Sequence, residues 1–363
     1  MEEISEKMKT KMDEFNMIKK AKIFRDRVSF RLLKDKYKYK IDINDNKSFH
    51  VHIVCLEVNH SWILGKFAIR MKNCLEEMGI KVTIGEMRYE SADINHHIAY
   101  MNVKEVLNDR TTVMITHVDS QFKLDIIRRQ VKQGAMEICM SRETMERLTR
   151  EGVDRTKLCY INPAHDNVII PKKYILGITH RNYKDFRKNP NIIVDICEQI
   201  NPKFFCFKIM GEGWETIVEN IKQLGFEVEY YPEFDYDIYT KLIPSLDYYI
   251  YYGFDEGSMG YLDALAAGID TIVTPQGYHL DIKGGPTYCC ETVKDFVNVL
   301  NQISNRRENI VESVEDLTWE AYSFKHLEIW YYLTKRKELG EILRNRSYYM
   351  DGIFSILLQD IKG

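Results

Sequence analysis

The 363-residue sequence predicts an α/β protein of two doubly wound, parallel-sheet domains facing across a cleft, preceded by a helical extension. Three observations predict it. The chain is long for a single core. From His50 onward, short apolar runs alternate with segments of helical periodicity in two separate series. Between the series, prolines and polar residues from Asn162-Pro163 to Pro171 interrupt both patterns. The expected divisions are 1–46, a helical basic extension; 47–170, the first domain; 171–334, the second; and 335–363, a last helical stretch completing the first.

The extension, polar and without Gly or Pro, is expected to be largely helical. Between Lys19 and Lys40 it carries ten Lys or Arg against Asp26 and Asp35, a local excess of eight positive charges. Such a face suits packing on the body, a second subunit or an anionic membrane surface. Val51–Leu56 then reads as a buried strand. Leu64, Phe67, Ala68, Met71, Leu75 and Met78 recur at helical spacing, with Gly79 as the stop. Strands follow at Ile80–Ile84, Thr112–Thr116 and Glu137–Met140. The second series is Ile175–Ile178, Phe204–Met210, Phe226–Tyr230, Tyr248–Tyr252 and Thr271–Thr274, with helices such as Asn191–Ile200 and Gly260–Ala267 between. Leu317 to about Leu358 reads as a helical stretch that crosses back to the first domain. Ligands of such sheets bind at the carboxyl ends of the strands.

Composition narrows the class. A net charge of −3 and a pI of about 6.4 give no basis for nucleic-acid binding. None of the eight cysteines makes a C-x-x-C, and several sit in apolar runs, as reduced core thiols of a cytoplasmic protein do. No Cys or His pair has zinc-ligand spacing, so no metal site is expected. No apolar run reaches a membrane-spanning length, and the first residues lack a signal-peptide core. A cytoplasmic location follows as the expectation, with peripheral contact at the inner membrane face through 19–40.

The most informative stretch is Gly253–Gly268, Gly-Phe-Asp-Glu-Gly-Ser-Met-Gly-Tyr-Leu-Asp-Ala-Leu-Ala-Ala-Gly, which follows an apolar strand and opens a helix. Gly257 and Gly260 permit a tight turn whose amides can face a phosphate or a sugar hydroxyl. Asp255 and Asp263 lie eight apart, one for the loop and one for the helix, in reach of one ligand. A plain strand-turn-helix with a capping acid has the same pattern. Asp235-Tyr-Asp237 has the form of a metal-binding D-x-D but precedes a helical run, where acids serve as caps. His96, His97 and His117, near the ends of strands in the first series, are expected to face the cleft.

The Gly253–Gly268 stretch resembles the donor motif E-G-G-P-M-S-L-L-E-A-L-A-x-G of the family-4 (group 1) glycosyltransferases of GT-B fold. The resemblance runs from about Val51 to Leu333. It implies a transferase that uses a nucleotide diphosphate-sugar as substrate, with retention of configuration and no cofactor. It implies that Asp263 holds the ribose, and that Asp255, Gly257, Ser258 and Met259 contact donor sugar and phosphate. Both acids are glutamates in the family and aspartates here. Tyr174–Asn189 resembles the family's strand followed by G-x-x-x-R and K-N, which implies that Arg181 and Lys188 grip the diphosphate, with Arg187 as competitor. Lys208–Gly213 resembles the strand that ends in G-x-G, and Trp319-Glu320 the W-E before the crossing helix. His165 stands where the family carries a Gly and is read as structural. In the first domain Gly65 would approach the donor phosphates, and His96 or His97, with His117 beside them, the sugar or acceptor. The implied acceptor is a glycan, glycoprotein or lipid-linked glycan. Two other readings fit the same residues: a nucleotide-sugar epimerase, which consumes donor without acceptor, and a non-catalytic scaffold subunit, which binds no nucleotide.

Overall fold

The computed structural model describes residues 49–57, 62–166, 168–183 and 190–334. The 1–46 extension with its basic 19–40 stretch, the 335–363 segment, Arg187 and Lys188 lie outside these residues. The chain divides into two compact units, one of residues up to Asp166 and from Leu317 onward, the other Asn167–Asp316.

The first unit runs through β1 (His50–Val54), α1 (Ile63–Glu77), β2 (Lys81–Gly85), β3 (Ile94–His97), β4 (Thr111–Ile115), α2 (Gln121–Lys132), β5 (Met136–Cys139), α3 (Arg142–Arg150) and β6 (Leu158–Tyr160). These strands form one parallel sheet in the order β2-β1-β3-β4-β5-β6. β1 is buried at every position because helices or a crossover cover both its faces. In α1 the buried set Phe67, Ala68, Met71, Cys74 and Leu75 follows the expected stripe. Gly79, at φ +85°, ends that helix in a conformation that costs glycine nothing. β3 and β6 were absent from the sequence reading: both are short, and Ile-Asn-His-His is too polar to register as a strand.

The second unit contains β7 (Tyr174–Ile178), α4 (Asn191–Cys197), β8 (Phe205–Met210), α5 (Glu215–Gln223), β9 (Glu227–Tyr231), α6 (Tyr236–Leu242), β10 (Tyr248–Tyr251), α7 (Met259–Ala266), β11 (Asp270–Val273), β12 (Tyr288–Cys289) and α8 (Val293–Glu312). Its parallel sheet has the order β12-β11-β10-β7-β8-β9. One face packs on Ile193, Ile196, Trp214, Ile217 and Phe296, the other on Leu242, Tyr261 and Ala264.

α9 (Trp319–Leu333) then returns to the first unit. Its Trp319, Tyr322, Leu327 and Trp330 join Phe67, Met71 and Ile53 in one core. The crossing helix therefore starts inside the stretch 171–334 assigned from sequence to the second domain. The reason is local pairing: the His165 amide bonds the Leu317 carbonyl at 2.8 Å, and the Trp319 indole donates to Asp166 at 3.1 Å. These contacts also move the seam from 170/171 to 166/167. His165 contributes there through its backbone amide. All eight cysteines are free thiols. Among the described residues no helix is long and apolar enough to cross a membrane.

Both sheets have a switch point, where the strand order turns back. It lies between β1 and β3 in the first unit and between β7 and β10 in the second. Neighbouring connections leave such a point in opposite directions and open a crevice at the carboxyl ends of the strands.

Candidate functional site

In the second unit the loops leaving β7 and β10 meet at that point. The β10 loop turns through Gly257, whose φ of +117° is a left-handed conformation and where a Cβ would lie 2.9 Å from the His279 ring. Asp255 holds the turn from inside: its Oδ1 accepts the Gly257 amide at 3.0 Å and the Tyr251 hydroxyl. His279, fully buried, receives the Ser258 amide on Nε2 at 3.0 Å. Its Nδ1 therefore carries the proton and faces the Thr274 carbonyl at 3.2 Å. Burial holds this imidazole below its ordinary pKa, so it stays neutral and fixes the turn as a donor-acceptor pair.

The expectation that the turn's amides face a phosphate is corrected at two positions. Those of Gly257 and Ser258 are engaged by Asp255 and His279. The next amides, of Met259 and Gly260, belong to the first turn of α7, whose N–H groups have no intrahelical acceptor. The Ser258 hydroxyl is buried against the Tyr249 hydroxyl at 2.7 Å, while the Met259 side chain is 69% exposed. Gly260 is required by space: a Cβ there would lie 2.2 Å from Thr179 Oγ1 and 2.6 Å from the Tyr249 hydroxyl.

Asp263, exposed on the second turn of α7, accepts the Tyr239 hydroxyl from α6 on Oδ2 at 2.5 Å. Thr179, on the loop after β7, donates to the Tyr249 hydroxyl at 3.2 Å. Both loops are thereby tied to one hydroxyl cluster beneath α7. Arg181, two residues beyond Thr179, is 60% exposed with Nη2 3.4 Å from Glu212. Burial pushes the Tyr249 phenol up to about 12, and burial with the Asp255 bond raises that of Tyr251. These phenols are donors at any ordinary pH. Asp235 accepts the Ile238 amide at 2.9 Å and caps α6, which is the role its spacing predicts.

In the first unit a small recess opens at the switch point, lined by Val54–Glu57, Leu64, His97–Ala99 and Asn102. His97 ends β3, and its Nε2 lies 3.7 Å from Glu105. Burial pushes His97 down to about 4 against the opposing pull of Glu105, with His52 and Arg88 adding to the depression. The imidazole is thus neutral near pH 7. One carboxylate oxygen of Glu57 is buried without a hydrogen-bond partner among the described residues. Gly65 is buried in the first turn of α1, beside Leu64 of the recess.

The expectation that all three histidines share one surface is corrected. Strand alternation sends His96 to the opposite face of the sheet from His97. There His96 is fully buried between His326 and Trp330 of α9 and bonds Thr112 at 2.8 Å. It belongs to the core. His117 is exposed after β4, with ring contacts to Thr116 and Asp119. Sequence reasoning missed His279, Tyr239, Tyr249, Tyr251 and Glu105. Tyr249 and Tyr251 escaped notice because Tyr248-Tyr-Ile-Tyr-Tyr252 reads as an apolar strand, and Tyr239 because nothing local marks a tyrosine on a short helix. Among the described residues no group of three or more His, Cys, Asp or Glu could hold a metal ion.

Comparison of the whole chain finds similar solved structures. A glycosyltransferase from Rickettsia africae aligns over 80% of this chain and all of its own, at 14% identity and a TM-score of 0.33. HepE from Anabaena, solved with UDP-glucose, aligns over 82% of this chain and 99% of its own, at 12% identity and a TM-score of 0.31. WaaG, a glycosyltransferase of lipopolysaccharide biosynthesis, aligns over 77% and 99%, at 11% identity and 0.31. No protein-family model and no curated protein matches the sequence.

Proposed function

We propose that the chain is a glycosyltransferase that moves a sugar from a nucleotide diphosphate-sugar to a glycan, glycoprotein or lipid-linked acceptor, with retention of configuration. One observation carries the reading. Asp255 and Asp263 bracket the first turns of α7 at the switch point of a parallel sheet, with the Arg181 loop tied to the same hydroxyl cluster. This is where an α/β sheet receives a nucleotide.

In this scheme Asp263 accepts from ribose hydroxyls and Asp255 orients the sugar. The first amides of α7, Arg181 and Lys188 face the diphosphate. As the glycosidic bond breaks, negative charge grows on the diphosphate, and fixed cations and amides favour that state over the ground state. The departing diphosphate oxygen can take the acceptor proton, so neither a protein base nor a metal or cofactor is required. His97, neutral at the floor of the first unit's recess, serves as a hydrogen-bonding group for sugar or acceptor rather than as a cation. The working place proposed is the cytoplasm, with 19–40 as contact to a membrane face or another subunit.

The test is sugar-nucleotide turnover by wild type and Asp263→Ala. The variant is expected to lose about 100-fold or more; equal rates would remove Asp263 from the site. A second reading draws on one feature: tyrosine hydroxyls already engage both acids, as in a site retired from chemistry. A non-catalytic scaffold of this kind shows no heat of binding with any nucleoside diphosphate in calorimetry.

A further inference from the structure

Tyr239 was not among the residues singled out from sequence. It lies on the second turn of α6, half-buried, with its ring 5.3 Å from that of Phe234. Its hydroxyl donates to Oδ2 of Asp263. Burial and the Asp263 bond together hold the phenol well above its ordinary pKa, so the proton stays on oxygen and remains committed to the carboxylate. A phenol oxygen has one hydrogen and two lone pairs. Once the hydrogen points at Asp263, the oxygen can only accept; the Thr179 hydroxyl lies beside it, and one lone pair is left for a ligand. The remaining Asp263 oxygen is also an acceptor. The pair therefore presents two acceptors, on neighbouring atoms held in fixed relation by a charge-assisted bond.

We propose that Tyr239 is a specificity-determining residue: together with Asp263 it forms a double acceptor for a vicinal diol, the 2′- and 3′-hydroxyls of a ribonucleotide. This rests on the donor-site reading above and extends it from one acid to a two-residue device. It also accounts for the aspartate. Asp263 is one methylene shorter than a glutamate, and a phenol reaching in from α6 adds acceptor surface at its tip. A site built to bond two hydroxyls discriminates against a sugar lacking one, because a buried or half-buried acceptor is left unpaired.

The experiment is calorimetric binding of UDP, ADP and GDP and of their 2′-deoxy and 3′-deoxy forms to the full chain, for wild type and Tyr239→Phe. Phenylalanine keeps the ring and its packing on Phe234, and the unfolding midpoint checks that the fold is retained. Wild type is expected to bind the preferred ribonucleotide about tenfold more tightly than its deoxy forms. In Tyr239→Phe that ratio is expected to fall to about twofold or less, chiefly through weaker ribonucleotide binding. An unchanged ratio in a folded Tyr239→Phe overturns the role of Tyr239 while leaving the donor site standing. Equal weakening of ribo and deoxy forms does the same, since a mere brace between α6 and α7 affects both alike. If wild type binds none of the nucleotides, the donor-site reading itself fails, and the inference with it.

Discussion

Glu137, on β5 of the first unit, and His279, in a turn after β11 of the second, are both buried ionisable residues with opposite surroundings. His279 is doubly satisfied, by the Ser258 amide and the Thr274 carbonyl. Replacing it with leucine leaves a buried N–H and a buried carbonyl without partners. His279→Leu is expected to destabilise the second unit by about 2–3 kcal/mol in urea unfolding. Glu137 is fully buried on β5, and neither carboxylate oxygen has a hydrogen-bond partner among the described residues. Burial raises its pKa well above the ordinary glutamate range. The native state therefore keeps a proton that the unfolded chain gives up. The associated stability is present at low pH, below the ordinary glutamate pKa, and drains away as pH rises toward the raised native value. Glu137→Met is expected to gain about 2 kcal/mol at neutral pH and to lose this part of the pH dependence. A chevron or urea series from pH 4 to 8 would reveal both. A loss of stability at pH 7 contradicts the account. Nothing in the sequence marks either residue, since burial is a property of neighbours.

At the scale of elements, α9 is the informative one. The W-E pair was legible in sequence, as was the aromatic content, but the pair forms the first turn of the helix instead of preceding it. The partners of the helix were not legible. His326 of α9 packs 5.0 Å from His96 of β3, and both Nε2 atoms lack hydrogen-bond partners among the described residues. Tyr322, Trp330 and Thr112 complete the surroundings, with Lys325 as the nearby charge. Burial pushes His326 down to about 4 and His96 well below its ordinary value. Each imidazole is neutral when folded and protonates readily when unfolded. The stability tied to this pair is complete above the ordinary histidine pKa and is lost as pH falls toward 4. Acid unfolding of the first unit should accordingly steepen between about pH 6.5 and 4. His326→Phe should flatten that slope in circular-dichroism titrations; an unaltered slope excludes the histidine pair as its origin.

For the whole molecule, chain continuity separates the units. Asn167–Asp316 is one unbroken stretch with both faces of its sheet covered by its own helices. It also contains Arg181, Asp255 and Asp263. The first unit is assembled from two distant pieces, because Trp319, Tyr322 and Trp330 fill the core beside Phe67 and Ile53. A fragment of residues 167–316 is thus expected to fold alone with a cooperative thermal transition, whereas residues 1–166 without α9 are not. Circular dichroism of the two fragments decides it. Cooperative unfolding of 1–166 alone would show that α9 is dispensable.

The two α/β series, the turn before α7 and the positions of its two acids were legible in the linear chain. Those features are written in local periodicity and in glycines that only a turn requires. The tertiary structure alone decided which histidine lines a recess and which fills the core, that the turn's amides are already engaged, and that tyrosines from other elements reach both acids. Side-chain direction on a strand and the approach of residues some 16 to 24 positions apart depend on register and packing, which a linear pattern does not encode.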